Sequence, residues 1–227
     1  LKFTGKTTLF NIVTGAGVPT GQGGVDPNRG VGEVPDPRVD RLSEMYQPKR
    51  TIHARIDWVD CPGFEPGPGR DGAREATRFL EHARRVDALA QVVRCFDGGF
   101  GAPDPAGELA TVSLELILAD LSVVEKRLEK LAKERRLKGK TENPLEPALF
   151  ERLRDQLESE QPLRALEFSD DERKVMSGYA FLTLKPLIAV LNHPEGEPPD
   201  AATLAAAREA GAEVVSLCAA VEEELIE

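Results

Sequence analysis

Cysteine, positive charge and long apolar runs are each in short supply in this chain of 227 residues, and each shortage excludes something. The three cysteines, Cys61, Cys95 and Cys218, are scattered with no metal-ligand spacing. They form neither a disulfide framework nor a zinc site, and suit small packed thiols in a reducing compartment. Lys and Arg number 29 against 39 Asp and Glu, a formal net charge of −10. That balance argues against nucleic-acid binding by the surface as a whole, although it leaves local basic patches open. No apolar run reaches the roughly 18 residues that a membrane helix requires, and no signal-peptide pattern is visible. A monomeric, cytoplasmic protein without membrane contact is expected. Length and a hydrophobic content of 41% allow one globular domain with a sizeable insertion, or two small domains.

What the chain does contain begins at Gly5-Lys6-Thr7-Thr8. This reads as the end of a phosphate-binding loop, G-x-x-x-x-G-K-[ST], whose first glycine would fall one position before Leu1. The chain is therefore expected to open inside the motif, with a buried strand ahead of it. In such a loop backbone N–H groups cradle phosphates, the lysine neutralises the β/γ oxygens, and the next hydroxyl, here Thr7, ligates Mg²⁺. G-K-T alone occurs by chance in unrelated chains. Here it leads into Leu9-Phe10-Asn11-Ile12-Val13, the apolar helix start that the mechanics of the loop require.

Thr14 to Gly32 lacks apolar periodicity and reads as a long mobile loop, loosest at Gly21-Gln22-Gly23-Gly24, with Thr20 its one interior threonine. A proline-bounded turn then starts a short helix with Val39, Leu42 and Met45 on one face. Ile52, Ala54, Ile56 and Trp58 alternate with more polar neighbours, predicting a strand with one face committed to the core. The strand runs into Asp60-Cys61-Pro62-Gly63. This is D-x-x-G at a strand end, where the aspartate holds Mg²⁺ through water and the glycine N–H meets the γ-phosphate. Glu65 to Gly72 is expected to be a second mobile segment, Ala73 to Val86 a helix, and Leu89 to Phe96 a buried strand of the parallel type.

The pattern then turns helical. Leu114, Ile117, Leu121, Val124, Leu128 and Leu131 form a coiled-coil seam. Phe150, Leu153 and Leu157 return after a turn near Asn143-Pro144, and Val175, Tyr179 and Leu182 suggest a third helix. Leu187-Ile188-Ala189-Val190-Leu191 resumes the buried-strand pattern. The fold expected is α/β, with a mostly parallel sheet interrupted by a helical insertion: residues 1–107 and 184–227 for nucleotide, 108–183 for the insertion. The insertion's tip, Lys126 to Lys140, is rich in Lys and Arg. It either pairs with Glu151, Asp155, Glu158 and Glu160 of the following helix, or contacts RNA phosphates.

Asn192-His193-Pro194-Glu195 lies at the C-terminal end of the resumed strand, where an open α/β sheet binds its ligand. GTPases carry N-K-x-D there, with the carboxylate on the guanine edge. Glu195 is longer by one methylene and His193 replaces the lysine, so ATP and GTP both stay open. A last strand over Ala212 to Leu217 would bring the small Cys218-Ala219 pair beneath the base.

The order of these motifs, with Val31-Gly32-Glu33-Val34-Pro35-Asp36-Pro37-Arg38, Val92-Val93-Arg94-Cys95-Phe96 and Leu116-Ile117-Leu118-Ala119-Asp120-Leu121, resembles the YchF, or Obg-like ATPase, family of P-loop proteins. The resemblance covers essentially the whole chain. It implies a nucleotide domain interrupted by a helical coiled coil, ATP use alongside or instead of GTP, an association with ribosomes, and a following TGS domain that these residues do not reach. Two departures mark a divergent member. Pro62 stands where the family has alanine, and Gly24 stands for a threonine ahead of Asp26-Pro27-Asn28.

On this reading Gly5, Lys6, Thr7 and Thr8 hold phosphates, Thr7 and Asp60 hold Mg²⁺, and Lys6, Asp60 and Gly63 serve the γ side. Asn192, His193, Glu195, Cys218 and Ala219 serve the base. Phe64 follows D-x-x-G, where Ras-like enzymes orient water with glutamine, so turnover is expected to be slow unless a partner, a K⁺ ion or a backbone group compensates. A nucleotide-responsive binding module with little hydrolysis, and a small-molecule kinase, are the rival readings.

Overall fold

The computed structural model describes residues 1–21, 26–65, 70–99, 101–138 and 143–226. Its first helix, α1 (Lys6–Thr14), starts directly at the glycine-lysine motif. Two strands, β1 (Asn28–Val34) and β2 (Ala54–Asp60), then pair antiparallel along seven positions, from Asn28 opposite Asp60 to Val34 opposite Ala54. Between them α2 (Pro37–Tyr46) is started by Asp36, whose side chain accepts from Arg38 N, with Pro37 at the first helical turn. α3 (Arg70–Ala83) follows. Strands β3 (Leu89–Arg94), β4 (Leu187–Asn192) and β5 (Glu213–Leu217) form a separate three-stranded parallel sheet in that order. The β3-to-β4 crossover carries α4 (Pro105–Lys138), α5 (Glu146–Glu158), a 3₁₀ turn and α6 (Asp170–Met176). α7 (Ala201–Glu209) makes the β4-to-β5 crossover, and α8 (Ala219–Glu224) follows β5.

The end of the expected 14–32 loop is strand. Gly30 and Gly32 deprive β1 of apolar alternation, which hides it in the sequence, yet they are what lets it lie under α1: a Cβ on Gly30 would come within 2.9 Å of the Phe10 ring. The same hairpin corrects the expectation for β2. Ile52 is 69% exposed and Ile56 46% exposed, so the alternation does not mark a face committed to the core. Leu42 and Met45 on α2 are exposed as well. Residues 22–25 of the 14–32 loop, 66–69 of the second expected mobile segment, and 139–140 of the expected basic tip lie outside the described residues.

α4 and α5 pack through Ile117, Val124, Leu149, Phe150, Leu153 and Leu157, as the spacing requires. Leu114, however, is exposed. The first turns of α4 lie against the sheet layer and bury Leu109, Val112 and Leu116 instead, so the apolar stripe changes face along the helix. α6 is shorter than the Val175, Tyr179 and Leu182 spacing predicts. The helix stops at Met176, Tyr179 stacks on Phe181 with ring centroids 5.6 Å apart, and Leu182 joins the cluster around Phe64.

A buried polar joint connects the helices to the sheet layer. The carboxylate of Asp120 on α4, 0% exposed, accepts from Leu182 N at 3.0 Å, Thr183 N at 2.7 Å and Thr183 Oγ1 at 2.8 Å. Arg84, after α3, reaches Asp120 at 3.6 Å and donates to Ala119 O and Ala180 O. Lys185 donates to the Ala83, Arg84 and Val86 carbonyls that end α3, as a cation at a helix C-terminus does favourably. Farther out, Arg127 makes a two-pronged pair with Glu146, both contacts 2.7 Å, and the Tyr179 hydroxyl donates to the same carboxylate. The hydrogen bonds from Arg127 hold the Glu146 pKa below its ordinary value.

Two outcomes follow for stability. Replacing Asp120 by alanine orphans two buried N–H groups and a hydroxyl, and should lower the unfolding free energy by about 3 kcal/mol in urea titration. For Glu146 the folded pKa lies below the unfolded one, so its contribution is complete above the ordinary glutamate range and lost as pH falls through the lower folded value. The deficit of Glu146→Gln should therefore be about 3 kcal/mol at neutral pH and close below that range, read from urea midpoints at stepped pH.

Candidate nucleotide-binding site

α1 is built to face an anion. Gly5, at its N-cap, has φ 92°, a left-handed conformation natural to glycine, and neither a side-chain cap nor an acidic residue occupies the first turn. The first N–H groups of a helix have no intrahelical partner, so this end presents donors and a partial positive charge. A Cβ on Gly5 would also run into the Asn192 side-chain amide. Lys6 follows, its ammonium donating to the Leu1 carbonyl. Burial lowers its pKa, and Asp60 acts in the opposite direction.

Asp60 ends β2 at the mouth of the same cleft. Its Oδ2 accepts from Thr7 Oγ1 at 2.9 Å and from Asn28 Nδ2 at 3.0 Å. Gly63 lies where a Cβ would approach the Leu1 carbonyl to 2.6 Å, so the chain passes closer there than any side chain allows. The cleft, about 650 Å³, gathers Gly5, Lys6, Thr7, Thr8, Asp60 and Gly63 in one wall. Thr20, Lys2 and Arg78 also line it, positions to which the sequence assigned no role. Lys2 pairs with Glu75 at 3.0 Å. Phe64 turns away: it is 2% exposed and packs on Phe79 with centroids 5.2 Å apart. It cannot reach a water in the cleft.

The base-side residues are placed differently from the phosphate-side ones. Asn192 is 6% exposed, and its amide is spent internally, Nδ2 donating to Thr4 O at 3.1 Å and Oδ1 accepting from Ala219 N at 3.0 Å. It braces the phosphate loop against the start of α8. The His193 backbone donates to Leu217 O, and its ring Nδ1 lies 2.7 Å from Pro194 O. Glu195 is exposed, Cys218 half-buried and Ala219 buried. None of these five lines the described cleft.

Among the described residues no cluster of three or more His, Cys, Asp or Glu side chains could hold a metal. The Thr7 hydroxyl and Asp60 carboxylate are nevertheless hard oxygen donors of the kind that suits Mg²⁺, which keeps several waters and takes only one or two protein ligands beside phosphates. Burial pushes the Cys61 and Cys95 thiols up to about 11, consistent with packed, unreactive cysteines. The role of Asn28 was missed because it arises from the pairing of two strands; its place just after Asp26-Pro27 was the only sequence signal.

No family model matches the chain. Curated proteins do resemble it. "Ribosome-binding ATPase YchF" of Bacillus subtilis is 37% identical over 238 residues, covering 98% of this chain and 64% of that protein. The protein of the same name from Escherichia coli O157:H7 is 34% identical with the same coverage. "Obg-like ATPase 1" of Schizosaccharomyces pombe is 34% identical over 84% of this chain and 52% of its own length. The solved structure of the Schizosaccharomyces pombe YchF GTPase superposes with a TM-score of 0.78 at 29% identity, covering 99% of this chain and 65% of that one. The chain thus spans about 64% of the length of the first curated relatives it matches. With the motifs in order from Gly5 to Glu195 and this likeness running through 98% of its residues, the chain is similar throughout to proteins of the YchF, or Obg-like ATPase, family.

Proposed function

We propose that the chain is the nucleotide-hydrolysing part of a slow ATPase or GTPase that works as a nucleotide-dependent switch on the ribosome. The observation that carries this reading is the Thr7 hydroxyl on the Asp60 carboxylate, at 2.9 Å, beside the uncapped start of α1. Residues 1–107 and 184–227 form the nucleotide domain in this proposal, and 108–183 the helical insertion.

The backbone N–H groups from Gly5 to Thr8 bind the phosphates, with Thr8 near the α-phosphate, and Lys6 offsets the charge of the β and γ oxygens. Thr7 and Asp60 hold Mg²⁺, which supplies charge neutralisation on the phosphates when bound. The Gly63 N–H meets the γ-phosphate. Lys6 and the Gly63 N–H act on the charge that grows as the phosphoryl group leaves, where preorganised donors contribute most, and Asp60 acts there through the cation it would hold. With Phe64 in the core, orientation of the attacking water falls to a backbone group, a K⁺ ion or a ribosomal group, and intrinsic turnover is slow. The base is read by the backbone and side chains around His193, Glu195, Cys218 and Ala219, with Asn192 as their brace. An exposed Glu195 and no lysine at 193 favour ATP alongside GTP. Burial of Phe64 also supports the second reading, a binding module in which nucleotide acts as a conformational ligand; tight binding without phosphate release, even with K⁺ and ribosomes, would favour it.

The helical insertion is the candidate ribosome contact. Lys126, Lys130, Lys133, Arg135 and Arg136 are exposed on α4, whereas Arg127 is withdrawn into its pair with Glu146. On α5, Arg154 already engages Asp155 and Glu158, which weakens the case for these acids as the partners of the tip. The name of the relatives, ribosome-binding ATPase, supports a ribosomal partner, and RNA phosphates are the chemistry that exposed Lys and Arg would meet there.

Lys6→Ala should reduce phosphate release by roughly 100-fold or more, measured with saturating nucleotide and ribosomes; unchanged turnover would contradict the hydrolase reading. The combined changes Lys133→Glu, Arg135→Glu and Arg136→Glu should weaken co-sedimentation with ribosomes while nucleotide affinity stays the same. In a salt series this variant should show a shallower dependence, by about two units of slope or more. Equal binding across the series would rule out the tip as the contact.

A further inference from the structure

We infer that Asn28 is a positioning residue for the cation of the nucleotide site, acting through Asp60; this rests on the reading of the cleft given above. Asn28 opens β1 and stands directly opposite Asp60, the last residue of β2. Directly opposed residues of an antiparallel pair project from the same face of the sheet, so the two side chains meet at this end of the hairpin. The contact is made: Asn28 Nδ2 donates to Asp60 Oδ2 at 3.0 Å.

The chemistry of the pair distinguishes Asn28 from Thr7. Both donate to the same oxygen, Oδ2, and leave Oδ1 with its lone pairs for other partners. The hydroxyl of Thr7 has a single proton and is itself a cation ligand in this reading. Among the described residues, Asn28 is the donor to Asp60 Oδ2 that takes no part in holding the cation itself. A carboxamide does this without adding charge, whereas a second carboxylate would compete for the cation and repel Asp60. Groups of this kind, hydrogen-bonded to a ligating carboxylate, fix its orientation and tune its affinity.

The backbone that carries Asn28 is held in place independently. Two residues on, Gly30 lies so close to α1 that a Cβ would sit 2.9 Å from both the Phe10 ring and the Thr14 methyl. At Gly32 a Cβ would come 2.5 Å from the Val13 carbonyl and 2.9 Å from Trp58 Nε1. β1 is thereby pressed onto the helix that supplies Lys6 and Thr7. Asn28 links the position of that helix to the position of the carboxylate, and it does so from a strand rather than from the glycine-rich loop before it.

The test is the affinity of fluorescent ATP and GTP analogues across a Mg²⁺ titration and in excess EDTA, for wild type, Asn28→Ala and the near-isosteric Asn28→Leu. The half-saturating Mg²⁺ concentration should rise roughly 10-fold or more in both variants, with the affinity in EDTA unchanged. Mg²⁺ curves that superimpose on wild type would overturn the inference. Affinity lost equally in EDTA would make Asn28 a structural residue and overturn it as well. If wild type itself gains nothing from Mg²⁺, the nucleotide-site reading fails first and takes this role with it.

Discussion

One carboxylate oxygen, Oδ2 of Asp60, receives the Thr7 hydroxyl from the first helix and the Asn28 amide from the neighbouring strand. The candidate site depends on that junction. Thr7 fixes how the phosphate-facing end of α1 sits against β2, and Asn28 fixes where β2 ends relative to β1. A second brace works from the opposite side, where the Asn192 amide joins the Thr4 carbonyl to Ala219 N. The segment from Thr4 to Thr7 is thus held between the two sheets by side chains from the ends of their strands. Strand ends of an open α/β sheet are where ligand sites are built, and here β1, β2 and β4 each deliver one short polar side chain, Asn28, Asp60 and Asn192.

Beyond the cleft, the chain after Gly63 leads into the core. Phe64 anchors it among Phe79, Leu116 and Leu182, and α3 then runs to the joint formed by Arg84, Lys185 and Asp120. The same apolar cluster contains residues of α4. Phe64 therefore packs the segment after Gly63 directly against the long helix whose far end carries the basic tip. Packing continuity between the cleft and the helical insertion rests on that one buried ring.

How much of this was legible in the sequence depends on the range of the interaction. Gly5-Lys6-Thr7 and Asp60 to Gly63 could be read because phosphate loops demand particular residues at fixed local spacing, and the structure brings them into one cleft. β4 could be read because a strand buried on both faces is apolar throughout. β1 could not: its glycines erase the alternation, and only pairing with β2 and the approach of α1 make it a strand. Asn28 was silent for the same reason, since 32 residues separate it from Asp60. Leu114 shows the limit of periodicity, which locates an apolar stripe without saying that the helix changes partners along its length. Asn192 could be placed at a strand end, but nothing local signals that its amide is consumed by Thr4 O and Ala219 N, residues far away in the chain.

The central claim is that this cleft binds a nucleoside triphosphate by its phosphates together with Mg²⁺. Calorimetric titration of the chain with ATP and with GTP, each in the presence of Mg²⁺ and in EDTA, tests it most directly. The account predicts one site per chain, occupied by at least one of the two triphosphates, with affinity strengthened by Mg²⁺ and lost when the nucleoside is offered without phosphates. Absence of binding by both triphosphates, or equal binding of the bare nucleoside, would contradict it.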